Sequence, residues 1–230
     1  MNTKLTALTN TLALNVNDEH LIQNAFVHRS YLNESHEFDN SNERLEYLGD
    51  AVLELATSHY LYNTYPDFQE GMLTNMRAAL VRTESLGETA IGLGFDKLLL
   101  MSKGEEATGG RQNRSILADT FEAFLGAVYL DQGYEASVSI LTEHIFKKAA
   151  AVLQDASYKD NKSLLQEIAQ SRYKSTPLYN LISESGPDHD KVFIMQVMIG
   201  DKAYGEGKGK SKQASQEDAA KNTLEMITHS

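Results

Sequence analysis

The chain has 230 residues, of which 41% are hydrophobic and 23% charged, with no cysteine and a net charge of −11. This composition is typical of a globular protein with a hydrophobic core, and the missing cysteine excludes disulfides and thiolate metal sites. No segment resembles a signal peptide or reaches a membrane-spanning length, so we expect a cytoplasmic protein with no membrane association.

The negative charge is unevenly distributed along the chain. Residues 1–158 contain 22 acidic and 11 basic side chains, whereas residues 159–230 contain 10 of each. A net negative charge argues against a nucleic-acid partner. The second part is balanced overall and its basic residues are bunched, so the net charge of the whole chain is a poor guide to its partners.

Apolar periodicity predicts an all-α domain over residues 1–154. A helix that begins at Asp18 is expected to continue through AFVHRSYLNE, and others follow over 41–62 and 70–82. Thr83 is expected to cap a short helix, and GEEATGGRQNR (104–114) is expected to form a loop. An apolar helix from Ser115 to Gly133 and a last one over 134–154 complete the domain.

The pattern changes after a predicted linker at 155–160. Residues 161–230 contain a helix, three β-rich runs separated by turn residues, and a closing helix from Ser211. The order α-β-β-β-α predicts a small α+β domain with one sheet.

The helix predicted over 41–62 carries acids on one side. At 100° per residue, its apolar stripe consists of Leu45, Leu48, Val52 and Leu55. The other side carries four acids and no basic residue, and like charges at this spacing repel each other. The four acids are Glu43, Glu46, Asp50 and Glu54. The face that they form is either an ordinary solvated surface or a binding site for cations.

A second acidic pair lies on the apolar helix that begins at Ser115. Asp119 and Glu122 are three residues apart, and buried carboxylates need hydrogen bonds, cations or a proton. They are either partly exposed acids at a helix edge or part of a site for Mg²⁺, which prefers oxygen ligands and phosphates. A di-iron site is excluded because its Glu-x-x-His pattern is missing.

Four segments together resemble the ribonuclease III family. They are NERLEYLGD (42–50), AFVHRSY (25–31), EGMLTNMRAALVR (70–82) and NRSILADTFEAFLGAVYLD (113–131). The C-terminal part is similar to a double-stranded-RNA-binding domain, with LLQE near its start and GKGKSKQASQEDAA near its end. The resemblance covers nearly the whole chain.

The resemblance implies an endoribonuclease that hydrolyses double-stranded RNA and leaves 5′-phosphates, 3′-hydroxyls and short 3′ overhangs. It implies a homodimer that processes ribosomal precursors, messenger RNAs and small RNAs, with Mg²⁺ as cofactor, Mn²⁺ as a substitute and no small-molecule cofactor. Asp50 and Glu122 correspond to the family's catalytic residues, and Glu43 and Glu70 to its outer, supporting acids. The implied metal ligands are Glu46, Asp50, Asp119 and Glu122.

Three regions of the C-terminal part correspond to the family's RNA contacts. The first helix contributes Gln166 and Glu167, and the loop after the first strand contributes His189. The third region is Lys208, Lys210, Ser211 and Lys212, where a helix N-terminus adds N–H donors for phosphate. One departure is that Gln213 and Gln216 stand at positions that are usually basic in the family, and each lost phosphate contact weakens binding and flattens its salt dependence. With Lys208 and Lys210 as candidates to compensate, we expect competent but weaker, salt-sensitive binding.

One competing hypothesis is a double-stranded-RNA-binding scaffold without catalysis, and another is a dimeric structural protein of the ribosome with this domain fused. Loss of a metal-binding acid would have argued for either of them. Four further residues are assigned no chemistry. His28 is expected on a mostly apolar helix in a structural role or near RNA, Glu54 is expected to be a solvated acid, and Arg44 and Arg77 are expected to pair with acids on neighbouring helices.

Overall fold

The structure is a computed structural model that describes residues 3–154, 161–187 and 191–228. The chain divides into two compact units, Met1–Tyr158 and Lys159–Ser230. The predicted linker at 155–160 lies outside the described residues, so the domain boundaries stay a prediction.

The first unit is helical, which confirms the predicted all-α domain. Among its described residues, the one β-type pairing outside the helices is a bridge between Val27 and Leu100. Short 3₁₀ turns connect some of the helices at Arg29–Asn33, Phe95–Lys97, Gly110–Gln112 and Phe146–Lys148. The helices are α1 (Thr3–Thr11), α2 (Glu19–Asn24), α3 (Glu43–Thr64), α4 (Glu70–Val81), α5 (Thr83–Gly92), α6 (Lys103–Ala107), α7 (Arg114–Gln132), α8 (Tyr134–His144) and α9 (Ala149–Gln154).

Helix α7 forms the centre of this unit. Its apolar residues are buried almost all round, as expected for a helix that other helices surround. Asn113 caps its N-terminus, and the Asn113 Oδ1 accepts from the N–H groups of Ser115 at 2.9 Å and Ile116 at 3.4 Å. The fully buried side chains include Leu117, Phe121, Phe124, Leu125 and Val128.

Several predicted boundaries in this unit are wrong. The helix that begins after Asp18 ends at Asn24, because the backbone around Val27 bonds to other segments: the N–H of Leu100 donates to Phe26, and that of Asn42 to Val27. The 104–114 loop contains α6 and a 3₁₀ turn, and the 134–154 helix is broken into α8, a 3₁₀ turn and α9. Thr83 is the first residue of α5 rather than its cap.

The predicted apolar stripe of α3 is half right. Leu45 and Val52 are buried, but Leu55 is 61% exposed and Leu48 is half-buried. The buried face is rotated toward Gly49 and Ala56, which hydrophobicity patterns weigh little. The exposed side of α3 therefore carries apolar side chains that the fold of one chain does not bury.

The second unit confirms the predicted α-β-β-β-α order. It consists of α10 (Asn161–Tyr173), β1 (Leu178–Ser185), β2 (Val192–Ile199), β3 (Lys202–Gly209) and α11 (Lys212–Thr228). The sheet is antiparallel in the order β1-β2-β3, with Leu178 opposite Met198 and Phe193 opposite Gly209.

Alternate residues of β2 point toward the two helices, as the two-residue period of a strand requires. Helix α11 lies directly on β3, where a Cβ on Gly207 would come within 1.9 Å of the Ala219 nitrogen. The glycines that interrupt β3 in the sequence thus allow this close contact. The core consists of Leu165, Ala169, Met195, Val197, Ile199, Ala219, Ala220, Leu224 and Ile227.

Candidate active site

Helices α3 and α7 cross at two glycines. A Cβ on Gly49 would lie 1.8 Å from the Glu122 carbonyl oxygen, and a Cβ on Gly126 would lie 2.2 Å from that of Leu45. Real Cβ atoms do not approach other atoms this closely, so the two backbones are in direct contact here. The crossing brings the acidic faces of both helices against each other.

Three carboxylates converge beside this crossing and form the acidic cluster: Glu46 from α3, and Asp119 and Glu122 from α7. One oxygen from each of the three lies within 4.8 Å of the others, and all three side chains are half-buried. Oxygen ligands at this spacing suit a hard divalent cation. The cluster therefore has the donor set of a candidate metal centre.

Burial raises the pKa of each carboxyl in the acidic cluster, and the charges of neighbouring acids raise the pKa of Glu46 and Glu122 further. Desolvation, then the charges of Asp50, Asp119, Glu46 and Glu54, raise the pKa of Glu122 to about 8. Desolvation followed by neighbouring acids also raises the pKa of Glu46. Desolvation raises the pKa of Asp119, against an opposing effect of His28. Because the pKa of Glu122 is about 8, its carboxyl is mostly protonated at neutral pH, and a bound cation would displace this proton.

The other acids predicted for the site lie at different distances from the cluster. Asp50 is exposed one turn further along α3 and is not among the three converging residues, although its charge reaches Glu122. Glu43 lines a cavity together with Glu46 and Asp119, and its carboxylate pairs with Arg29 at 3.8 Å. Glu70 begins α4, where it accepts a hydrogen bond from Thr74, and lines a different pocket.

The cavity beside Glu46 and Asp119 has a volume of about 590 Å³. Part of its wall consists of residues that the sequence analysis did not connect with these acids. His28 is not helical: it precedes a 3₁₀ turn, and its Nδ1 accepts from the Ser30 N–H at 3.3 Å. Arg29 and Glu105 join it at the wall. Arg29 and His28 belong to the AFVHRSY motif, but no spacing rule connects residue 105 to the site.

Glu54, which was expected to be a solvated acid, is partly exposed to solvent but also forms an ion pair. Its carboxylate accepts from Arg77 Nε at 2.8 Å, and Arg77 also donates to Ser58 Oγ at 2.8 Å. Arg77 therefore pairs with an acid on a neighbouring helix, as predicted. The guanidinium of Arg77 supplies positive charge at the C-terminal end of the acidic stripe of α3.

In the second unit, two of the predicted RNA-binding regions meet in one cleft. Gln166 of α10 and Ser211, before α11, both line it. Ser211 caps α11, because its Oγ accepts from the Ala214 N–H at 3.1 Å. Glu167 is exposed, as are Lys208, Lys210 and Lys212 around the end of β3 and the start of α11. His189 lies outside the described residues.

The fold and the site define a class of two-domain proteins, in which a helical domain with an acidic candidate metal site precedes a small α-β-β-β-α domain. Residues 18–149 match the model of Ribonuclease-III-like domains, and residues 161–227 match that of the double-stranded RNA binding motif. The chain belongs to the ribonuclease III family, whose members are endoribonucleases that act on double-stranded RNA. Membership implies a divalent metal, which agrees with the acidic cluster.

Individual relatives support this assignment over nearly the full length. The chain is 45% identical to Ribonuclease 3 of Syntrophobacter fumaroxidans, covering 97% of this chain and 94% of that protein. It is 46% identical to Ribonuclease 3 of Oceanobacillus iheyensis, covering 95% and 96%.

Solved structures agree for the first domain. The nuclease domain of ribonuclease III from Campylobacter jejuni has a TM-score of 0.58 and 36% identity, covering 64% of this chain and 97% of that one. A second structure of that domain, with a TM-score of 0.56 and 38% identity, covers 61% and 94% and is described as showing flexibility in the region involved in dimer formation. None of the described helices combines the length and apolar character needed to cross a membrane.

Proposed function

We propose that the chain cuts both strands of RNA duplexes by Mg²⁺-dependent hydrolysis at the acidic cluster. The observation that supports this most directly is the convergence of Glu46, Asp119 and Glu122 in a half-buried site where their like charges repel each other. A bound cation would relieve this repulsion, and Mg²⁺ suits carboxylate oxygens and phosphate together. Mn²⁺, with similar ligand preferences, is the expected substitute.

The residues divide into two proposed groups. Glu46, Asp119 and Glu122 hold the metal, and Asp50, exposed one helical turn from Glu46, is the proposed fourth ligand outside the converging three. We assign catalysis to Glu122 and Asp50. When bound, the divalent cation lowers the pKa of a water nucleophile and stabilises the leaving oxygen. Glu43 and Glu70 support the site from further away.

The second domain holds the substrate. Duplex RNA is recognised by shape, through 2′-hydroxyl and phosphate contacts, and the cleft between α10 and α11 joins two of the predicted contact regions. We propose that Gln166, Glu167, His189, Lys208, Lys210, Ser211 and Lys212 contact the RNA. The products are expected to carry 5′-phosphates, 3′-hydroxyls and short 3′ overhangs. We further propose that the protein acts in the cytoplasm, where bacterial ribosomal precursors, messenger RNAs and small RNAs are transcribed.

The test is cleavage of a long RNA duplex by the purified full chain. We expect 5′-phosphorylated fragments with Mg²⁺, none after chelation, and no comparable cleavage of a single strand of the same sequence. Tight duplex binding without Mg²⁺-dependent cleavage would instead support the scaffold hypothesis. Neither binding nor cleavage would overturn both hypotheses.

We propose that the active form is a homodimer joined through the exposed side of α3. Tyr47 is 83% exposed, Tyr62 71% and Leu55 61%, and an apolar surface of this kind marks an association site. Grooves lined by these side chains lie along the helix, and Glu70 lines one of them. Glu70 would therefore support the catalytic site at the dimer interface.

Replacing Leu55 by Asp is expected to convert the dimer into a monomer. Leu55 lines two of the apolar grooves and is mostly solvent-exposed in one chain, so the charge should disturb association far more than folding. Sedimentation velocity at micromolar concentration measures the change. Ile91→Asp is the matched control, because Ile91 is 44% exposed at the end of α5 and should leave the dimer intact. A dimeric Leu55→Asp variant contradicts this interface.

Metal binding is expected to release protons at neutral pH. Since Glu122 has a pKa of about 8 without metal, its carboxyl is mostly protonated at pH 7 and must lose that proton to bind a cation. Mg²⁺ affinity should therefore rise with pH until Glu122 is ionised. Calorimetry in buffers of different ionisation enthalpy should detect release at pH 7 and much less at pH 9. Equal release at both pH values would show that Glu122 is not a ligand.

A further inference from the structure

We propose that Lys162, near the start of α10, binds an RNA phosphate and supplies positive charge beside the first turns of α11, where Gln213 and Gln216 are uncharged. This inference rests on the proposed function, because it concerns how the second domain holds its RNA. The first five residues of α11 contain one basic side chain, Lys212, and the two uncharged glutamines.

The ammonium group of Lys162 is held against α11. Its Nζ donates to Gln216 Oε1 at 2.8 Å and lies 5.2 Å from the centre of the Tyr179 ring. These contacts join α10 to a residue 54 positions later in the chain. A cation placed by a hydrogen bond and an aromatic ring loses less side-chain entropy when it binds a phosphate. The glutamine at 216 therefore positions a positive charge instead of carrying one.

Lys162 lies among residues that are independently expected to contact RNA. It lines the same cleft as Gln166, which is one helical turn further along α10, and Ser211, which caps α11. Phosphates are favoured at such a helix N-terminus by its N–H groups and dipole. Glu217 is the acid of this cleft, and its carboxylate accepts the backbone N–H of Asn161, which fixes the start of α10 to α11.

The chemistry of the ammonium suits a second ligand. An ammonium has three N–H donors and no acceptor, and the bond to Gln216 uses one donor. Lys162 is half-buried, so it is fixed yet still reached by solvent and by an approaching backbone. One additional phosphate contact should add about one unit to the slope of log affinity against log salt.

The test compares duplex binding by the full chain across a salt series, with cleavage blocked by replacing Mg²⁺ with Ca²⁺ and confirmed by gel. Lys162→Gln should bind about three- to tenfold more weakly near physiological salt, with a slope lower by about one. With Mg²⁺ and RNA below saturation, cleavage by Lys162→Gln should decrease by a similar factor. Lys202→Gln is the control, because Lys202 also lies 5.2 Å from a tyrosine ring but at the other end of β3.

A charge relocation separates loss of the cation from loss of packing. Gln216→Lys in the Lys162→Gln background returns the charge to α11 and should restore the parental salt slope. Failure of the relocated charge to restore the slope, or an unchanged slope in Lys162→Gln, would overturn the assignment of Lys162. If the parent itself neither binds nor cleaves duplex RNA, the proposed function fails. If the parent does both and Lys162→Gln behaves identically, only this inference fails.

Discussion

Replacing Glu122 by Gln is expected to lower RNA cleavage by about a thousandfold or more while leaving duplex binding intact. A metal ion stabilises the transition state by several kcal/mol, and about 4 kcal/mol corresponds to a factor of a thousand in rate. Glu122 is the most strongly perturbed member of the acidic cluster. The amide retains the size of the side chain but removes an anionic ligand. Single-turnover cleavage and a binding assay on the same duplex measure the two effects.

The same variant should change how stability without metal depends on pH. In the folded parent the pKa of Glu122 is about 8, above the ordinary value of 4.5 for a glutamate, so the folded state binds the proton more tightly. Folding stability is therefore largest below pH 4.5 for this group and decreases as pH rises through about 8. Because an amide does not titrate, Glu122→Gln removes this dependence of folding stability on pH, which is on the order of 2 kcal/mol after allowance for solvent screening. Denaturant unfolding in chelator at pH 6 and pH 9 measures the difference.

The control for Glu122 is Glu88→Gln. Glu88 forms an exposed ion pair with Arg114 at 2.8 Å, and such pairs contribute about 0–1 kcal/mol. This variant should cleave RNA at nearly the parental rate. If Glu122→Gln cleaves as fast as Glu88→Gln, the acidic cluster is not the catalytic centre.

Replacing Gly126 by Ala is expected to cost about 3 kcal/mol of folding stability and most of the activity. The new methyl group would lie 2.2 Å from the Leu45 carbonyl oxygen, which is backbone and cannot rotate away. Overpacking of this kind typically costs about 1–3 kcal/mol and sometimes more. The helices must separate, and this moves Glu46 away from Glu122. An error of about 1 Å in catalytic geometry can cost a hundredfold in rate. The molecules that still fold should therefore also cleave RNA more slowly.

A helical glycine without neighbours provides the comparison for Gly126. Gly71 lies in α4, and a Cβ added to it would have no other atom within 4 Å. Gly71→Ala should therefore be neutral or stabilise the protein by about 0.5–1 kcal/mol, since alanine favours the helix. Chemical denaturation and Mg²⁺ titration of both variants test the argument. Equal stability and equal metal affinity in the two would show that the crossing tolerates a side chain.

Much of the local organisation is readable from the sequence. The spacing of Glu46 and Asp50, and of Asp119 and Glu122, places each pair on one side of its own helix, because a helix repeats about every 3.6 residues. The β-rich runs PLYNLISESG and KVFIMQVMIG, and the glycine-interrupted run that follows them, likewise indicate the sheet of the second domain. Local periodicity and motif resemblance are thus sufficient for the fold class and the two acidic pairs.

Local signals fail where distant backbone groups take part. The helix expected through His28 does not form because hydrogen bonds to Leu100 and Asn42 tie down the backbone around this residue. Leu55 has the right period for the core, yet it is exposed, because α7 contacts α3 through Gly49. A hydrophobicity pattern gives glycine little weight, so it misjudges which face is buried.

The sequence by itself determines the family, the order of the domains and the acidic residues on each helix, since these depend on residues close together in the chain. Only the tertiary structure decides that Glu46 meets Asp119 and Glu122, that Asp50 and Glu70 lie outside this set, and that Glu105 lines the cavity. It also places Lys162 against Gln216. The physical reason is that a helix specifies its own faces, whereas the contact between two faces depends on the packing of the whole domain.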